Sequence, residues 1–75
     1  MNKARREALE AIANRIEDIR SDLDAIKDEE QEYFDNMPES LQGGEKGTQA
    51  EETVSTLEDA SDSLGDAVEQ ISSTS

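Results

Sequence analysis

The chain has 75 residues, and its 20 acidic and seven basic residues give a formal net charge of −13. Only 32% of the residues are hydrophobic, with one Tyr, one Phe and no Trp, which excludes a conventional globular core. The absence of Cys excludes disulfides and thiolate metal sites, and the absence of His removes the commonest general base. A chain this small without such stabilising groups is expected to self-associate.

No stretch of the chain approaches the roughly 20 apolar residues that a membrane-spanning helix needs. The N-terminal segment is basic, but no uninterrupted apolar segment follows it, so we do not expect a signal peptide. The sequence therefore predicts a soluble protein of the cytoplasm.

A long amphipathic helix is predicted from about residue 3 to residue 35, with Asn2 as its N-cap. At about 1.5 Å per residue it would be about 50 Å long. Its large side chains recur in alternating steps of three and four, the heptad spacing of a helix that packs against other helices. With position a at Leu9, the predicted seam consists of Leu9, Ile16 and Leu23 at a and Ile12, Ile19, Ile26 and Tyr33 at d. Only Glu30, also at a, interrupts the series.

A turn is predicted over residues 36–47. Pro38 disfavours the helical conformation for the residue before it, and Asn36 suits a left-handed helix cap. A single helical turn is expected to start at Pro38 and to place Leu41 against the end of the bundle. The glycine-containing segment 42–47 then forms the flexible tip.

A second helix is predicted from about residue 48 to residue 72. Thr48 and Glu51 have the spacing of a capping box at its start. Its apolar seam is predicted to consist of Val54, Leu57, Ser61, Leu64, Val68 and Ile71. The two helices predict an all-α fold, an antiparallel helical hairpin formed by one domain, residues 1–75.

The hairpin is expected to associate with itself into a coiled-coil-like bundle. In a closed hairpin Ser61 would face Leu23, and Gly65 would lie near Ile19. These small residues would allow a helix of another chain to approach closely, which favours a homodimer or a higher oligomer that forms a helical bundle. Both predicted seams are therefore interpreted as the oligomer seam.

The excess of acidic residues is confined to one part of the chain. Residues 1–20 contain five bases and four acids, whereas residues 21–75 contain two bases and sixteen acids. On the first helix this places acids at the C-terminus, against the helix dipole. Either neighbouring helices compensate for this placement, or the acidic end is a recognition surface.

The composition argues against catalysis, cofactors and metal. General acid–base catalysis needs buried carboxyl groups, and the paired acids of this chain are expected on exposed helix faces. Asp22, Asp24 and Asp28 lack the spacing and glycine of a calcium-binding loop. The net charge opposes direct binding of nucleic acid, and no membrane interaction is expected. We therefore expect a non-enzymatic protein without a cofactor, whose partners are a second copy of itself and another protein.

The acidic end of the first helix and the turn after it form the predicted binding site. The two aromatic residues of the chain lie there, where they either close the end of the bundle or contact a partner. The candidate residues are Asp28, Glu29, Glu30, Glu32, Tyr33, Phe34, Asp35, Met37 and Leu41.

The acidic and aromatic run from Glu29 to Gln42, which ends in Asn-Met-Pro-Glu-Ser-Leu-Gln, resembles a family of small phage and prophage proteins. The similarity continues through the Gly-Glu-Lys-Gly turn and the Leu-Glu-x-Ala heptads to Ile71, a little over half of the chain. It implies a helical hairpin of phage origin without catalytic residues. Gly65 and the serine-rich second helix depart from the family's Glu/Ala-rich pattern.

These features predict an inhibitor of a host defence or nucleic-acid-handling protein that acts by occlusion or by imitating the charge of DNA. One alternative is a protein that sequesters a nucleotide signal between chains, with Arg15 or Arg20 binding phosphate and Tyr33 or Phe34 stacking on the base. Another is a structural or assembly component of a phage particle.

Overall fold

The computed structural model describes residues 2–74, which contain three helices and no strand: α1 (Lys3–Asp35), α2 (Glu39–Gln42) and α3 (Glu45–Ser73). Helices α1 and α3 pack against each other in opposite directions, and α2 lies in the connection between them. The Cα atoms extend over 59 × 15 × 11 Å. The predicted all-α helical hairpin is confirmed.

Helix α1 has the predicted bounds and the predicted N-cap, since the Asn2 side chain accepts a hydrogen bond of 2.8 Å from the Arg5 N–H. The predicted left-handed cap at its other end is wrong. Asn36 has φ −85° and ψ −4°, and no residue of the described part has a positive φ. Instead, the Gln42 side-chain amide donates a 3.1 Å hydrogen bond to the Phe34 carbonyl. The same carbonyl, one of those that a helix end leaves without the usual helical partner, also accepts a 3.0 Å hydrogen bond from the Met37 N–H.

Helix α3 begins three residues earlier than predicted, at Glu45, and ends at Ser73. Gly44 is its N-cap, and the Thr48 N–H donates a 3.0 Å hydrogen bond to the Gly44 carbonyl. Thr48 therefore lies inside the helix, and the predicted capping box does not form the helix start. The connection is correspondingly shorter than the predicted turn 36–47.

Gly47 explains why the helix can start so early. It is buried against the backbone of α2, and a Cβ at this position would lie 2.5 Å from the carbonyl carbon of Gln42 and 2.7 Å from its Cα. No side chain fits there unless the backbone moves. The missing side chain lets the first turn of α3 lie directly on α2.

The hairpin interface uses a different face of α1 from the predicted one. Apart from Asp24 at position b, the half-buried or buried residues of α1 lie at heptad positions a and e, whereas those at d are exposed. The a and e residues are Leu9, Ala13, Ile16, Arg20, Leu23, Lys27, Glu30 and Phe34. On α3 the half-buried or buried residues include the whole predicted seam, which Gly47 and Ala50 extend towards the start of the helix.

The interior of the hairpin is thin. Ala13 and Ala50 are the buried hydrophobic residues of the described part, and no large side chain there is fully buried. The contact between the helices therefore consists of a single layer of side chains that remain partly open to solvent.

Arg20 bridges the two helices near the middle of the hairpin. Its Nε donates a 3.1 Å hydrogen bond to the Oγ of the buried Ser61. Its guanidinium lies over Gly65, where a Cβ would be 2.9 Å from the Arg20 Cζ. The residue next to Gly65 is thus Arg20 and not Ile19 as predicted. The small residues Ser61 and Gly65 make room for the Arg20 side chain of the same chain. They therefore give no argument for the approach of a helix from a second chain.

We predict that Gly47→Ala lowers the free energy of unfolding by about 1–3 kcal/mol, because the new methyl group overlaps the Gln42 backbone. Gly43→Ala is the matched control, since a Cβ there meets nothing within 4 Å and its φ is −83°. It should leave stability unchanged or raise it by up to about 1 kcal/mol. Urea unfolding followed by circular dichroism, at equal protein concentrations, measures both. Equal stability of the two variants would contradict the close approach at Gly47.

We predict that the effect of Gly65→Ala depends on Arg20. Alanine in place of glycine favours a helix by about 1 kcal/mol, but here the methyl group must displace the guanidinium. Arg20→Met keeps the aliphatic part of the side chain and removes the guanidinium. In the Arg20→Met variant, Gly65→Ala should raise the free energy of unfolding by the full amount of about 1 kcal/mol. In the wild type it should raise it by less. A double-mutant cycle measured by urea unfolding tests this, and purely additive effects would contradict it.

Candidate functional site

The side of α3 that is open to solvent carries a series of exposed carboxylates, three of which also line the groove beside Arg20. This acidic row consists of Glu51, Glu52, Glu58, Asp59, Asp62, Asp66 and Glu69. No basic residue occurs from Gly47 to Ser73. The row extends for about 27 Å along the helix axis, so it carries one negative charge for about every 4 Å. One strand of DNA carries one charge for about every 3.4 Å.

The end of α1 adds further negative charge. Asp28, Glu29, Glu32 and Asp35 are exposed, whereas Glu30 is half-buried at position a. In the described part of the chain the ion pairs join Lys3 to Glu7 and Arg20 to Glu17, both within the first 20 residues. No ion pair there neutralises the acidic row or the acidic end of α1.

A shallow apolar pocket lies at the tip of the hairpin. This tip pocket has a volume of about 350 Å³, and its walls include Tyr33, Met37 and Leu41 from the predicted site. Leu41 is 53% exposed, so the prediction that it packs against the bundle end is wrong. Phe34 is half-buried at position e, on the face that α3 covers. The structure thus brings three of the predicted residues together and turns Phe34 away from them.

Sequence reasoning missed three further residues of the tip pocket: Asn36, Pro38 and Lys46. The first two were interpreted only as helix-ending residues. Lys46 is the only basic residue after Lys27, and this isolation was the signal that could have marked it. The pocket therefore combines apolar walls with one cation in an otherwise acidic region.

The alternative of a nucleotide bound between chains stays a prediction, because its site would be formed by two chains; within one chain the two arginines have the following surroundings. Arg20 donates to Ser61, and the groove beside it, about 500 Å³ in volume, is also lined by Glu17, Asp62, Asp66 and Glu69. Four carboxylates around one guanidinium repel a phosphate group. Arg15 is exposed.

Comparisons with protein-family models, with curated proteins and with solved structures give no match. Within residues 2–74, no group of three or more acidic side chains is arranged to hold a metal ion. None of the helices in that range has both the length and the apolar character needed to cross a membrane.

We predict that Leu41→Ala changes the free energy of unfolding by less than about 0.5 kcal/mol, because its side chain is mostly exposed. Phe34→Ala, in the half-buried interface, should cost about 1–3 kcal/mol. Thermal unfolding of the two variants beside the wild type measures the difference. A loss for Leu41→Ala as large as that for Phe34→Ala would show that Leu41 is part of the hairpin interior.

Proposed function

We propose that the protein is a non-enzymatic inhibitor that occupies the nucleic-acid-binding surface of another protein, with its carboxylates in the places of phosphates. The observation that carries this proposal is the acidic row on α3. Its linear charge density is close to that of a DNA strand, and no base of that helix segment interrupts it.

Long-range electrostatics support this choice of target. Charges of one sign along a rod-shaped surface attract a basic cleft from a distance and accelerate association. The same field repels nucleic acid itself and other acidic surfaces. A protein with this charge distribution therefore prefers partners that bind polyanions.

The tip pocket supplies the contacts that charge alone lacks. Tyr33 and Leu41 are exposed large apolar residues, 50% and 53% accessible, beside Met37. Aromatic and apolar anchors that fill a partner's pocket slow dissociation, whereas peripheral charges act mainly on the association rate. In this proposal the acidic row selects the class of partner and the tip pocket distinguishes among its members.

The resemblance of residues 29–71 to small phage proteins supports the proposed biological setting. A phage protein that occludes a host defence or nucleic-acid-handling protein needs no catalytic group, only a surface that competes with the natural ligand. We propose a bacterial nucleic-acid-binding protein as the target.

We predict that neutralising the acidic row abolishes binding to such a target. The test variant is Glu52→Gln, Asp59→Asn and Asp66→Asn, three exposed and nearly isosteric changes. The control variant is Glu7→Gln, Glu10→Gln and Asp18→Asn, which removes the same charge from exposed positions on α1. Each immobilised protein is exposed to a bacterial extract, and bound proteins are eluted with duplex DNA.

The wild type and the control should retain the same DNA-displaceable proteins, and the test variant should retain at least tenfold less. Raising the salt concentration should weaken the retention, because exposed charges are screened. If both variants lose binding equally, only total charge matters and imitation of a phosphate row is wrong. If DNA displaces nothing, the target surface is not a nucleic-acid-binding one.

A further inference from the structure

The d positions of α1 form an exposed apolar stripe that the hairpin does not cover. Ile12, Ile19, Ile26 and Tyr33 are 41%, 56%, 55% and 50% exposed. They are spaced seven residues apart, so they form a line of about 31 Å along one side of the helix. In the described part of the chain, Leu41 is the only other large hydrophobic residue with comparable exposure. We call these four residues the exposed stripe.

The accessible surface of the chain shows how much area remains to be covered. The chain exposes 5500 Å² for a mass of 8.2 kDa. A compact monomer of this mass exposes about 4500 Å². The excess of about 1000 Å² is close to the roughly 800 Å² that each partner buries in a protein–protein interface of standard size. The excess accessible surface of the chain therefore matches the area that a second chain would cover.

We propose that the occupant of the exposed stripe is a second copy of this chain, with the two α1 helices antiparallel. A pairing centred between Ile19 and Ile26 places Ile12 of each copy opposite Tyr33 of the other. The four residues then form one continuous apolar contact, and the dimer is a bundle of four helices.

The charges beside the stripe favour the antiparallel orientation. In the antiparallel arrangement Arg15 of each copy lies opposite Glu29 of the other, which gives two pairs of opposite charge. One like-charged pair remains, Asp22 opposite its own copy at the centre. In a parallel arrangement each g residue would instead face an e residue of the other copy, Arg15 near Arg20 and Asp22 near Lys27, so like-charged and opposite pairs would be equal in number. Opposite charges across a helical seam select partner and direction, and like charges oppose both.

The stripe lies on α1 and the acidic row on α3, so the two proposals can fail separately, although Tyr33 belongs to both the stripe and the tip pocket. Its first test is the mass of the protein in solution by sedimentation equilibrium. The wild type should have twice the mass of the chain, and Ile19→Asp with Ile26→Asp should halve it. The matched control, Asn14→Asp with Ser21→Asp, adds the same charge at exposed positions away from the stripe and should remain a dimer. Circular dichroism shows whether each variant keeps its helices.

A wild type that stays at the mass of one chain would overturn the proposal, as would a stripe variant that remains a dimer. Dissociation of the control to the same extent would also overturn it, because charge and not the stripe would then be responsible.

The second test measures orientation and does not depend on the folding of the aspartate variants. The chain has no cysteine, so single cysteines can be introduced by Ile12→Cys and by Tyr33→Cys. Under oxidation, an equimolar mixture of these two proteins should form the mixed disulfide, and each protein alone should form at least tenfold less. Efficient cross-linking of each protein alone would show a parallel pair and overturn the antiparallel arrangement.

Discussion

Helix α3 covers the a and e positions of α1 and not the a and d positions. This rotation of α1 about its axis determines which residues each surface of the molecule contains. Position e of α1 holds Ala13, Arg20, Lys27 and Phe34, so two cations lie at the hairpin interface. Arg20 can lie there because Ser61 and Gly65 leave room for its guanidinium and Ser61 accepts its hydrogen bond. The same rotation of α1 moves the d residues out of the hairpin and into solvent.

The rotation of α1 separates two kinds of surface on a very small protein. One side of α1 presents the exposed stripe, and the side of α3 that is open to solvent presents the acidic row. Apolar and charged contacts can therefore be made at the same time without competing for area. Within the described residues, alanines are the only hydrophobic residues buried inside the hairpin itself.

Much of this fold could be predicted from periodicity and capping chemistry. The heptad spacing on both helices, the cap at Asn2 and the break at Pro38 predicted two long helices and the seam of α3. Periodicity could not show whether α3 would cover the d or the e positions beside the a positions. Large apolar residues at a and d are expected whether the neighbouring helix belongs to the same chain or to another. Arg20 and Lys27 look like solvent-exposed residues in the sequence, and only the small residues opposite Arg20 explain its place in the interface.

At the tip, local signals competed. Thr48 and Glu51 match a capping box, and that motif concealed the earlier start of α3, which depends on a contact between Gly47 and the backbone of Gln42. The same early start brings Lys46 to the tip pocket. Three residues of the predicted site, Tyr33, Met37 and Leu41, line one pocket because they follow one another across a single turn. A close backbone contact such as that between Gly47 and Gln42 has no comparable signature in the sequence.

The acidic row acquires a further property if two chains pair in opposite directions. A twofold axis perpendicular to the long axis of the bundle would relate the two copies of α3, so the molecule would present two rows of carboxylates with opposite polarity. The phosphate backbones of duplex DNA are related by the same symmetry. A dimeric DNA-binding protein reads two half-sites through its own twofold axis. If such a protein aligned its twofold axis with the twofold axis of the four-helix bundle, one dimer of the present chain would block both of its subunits.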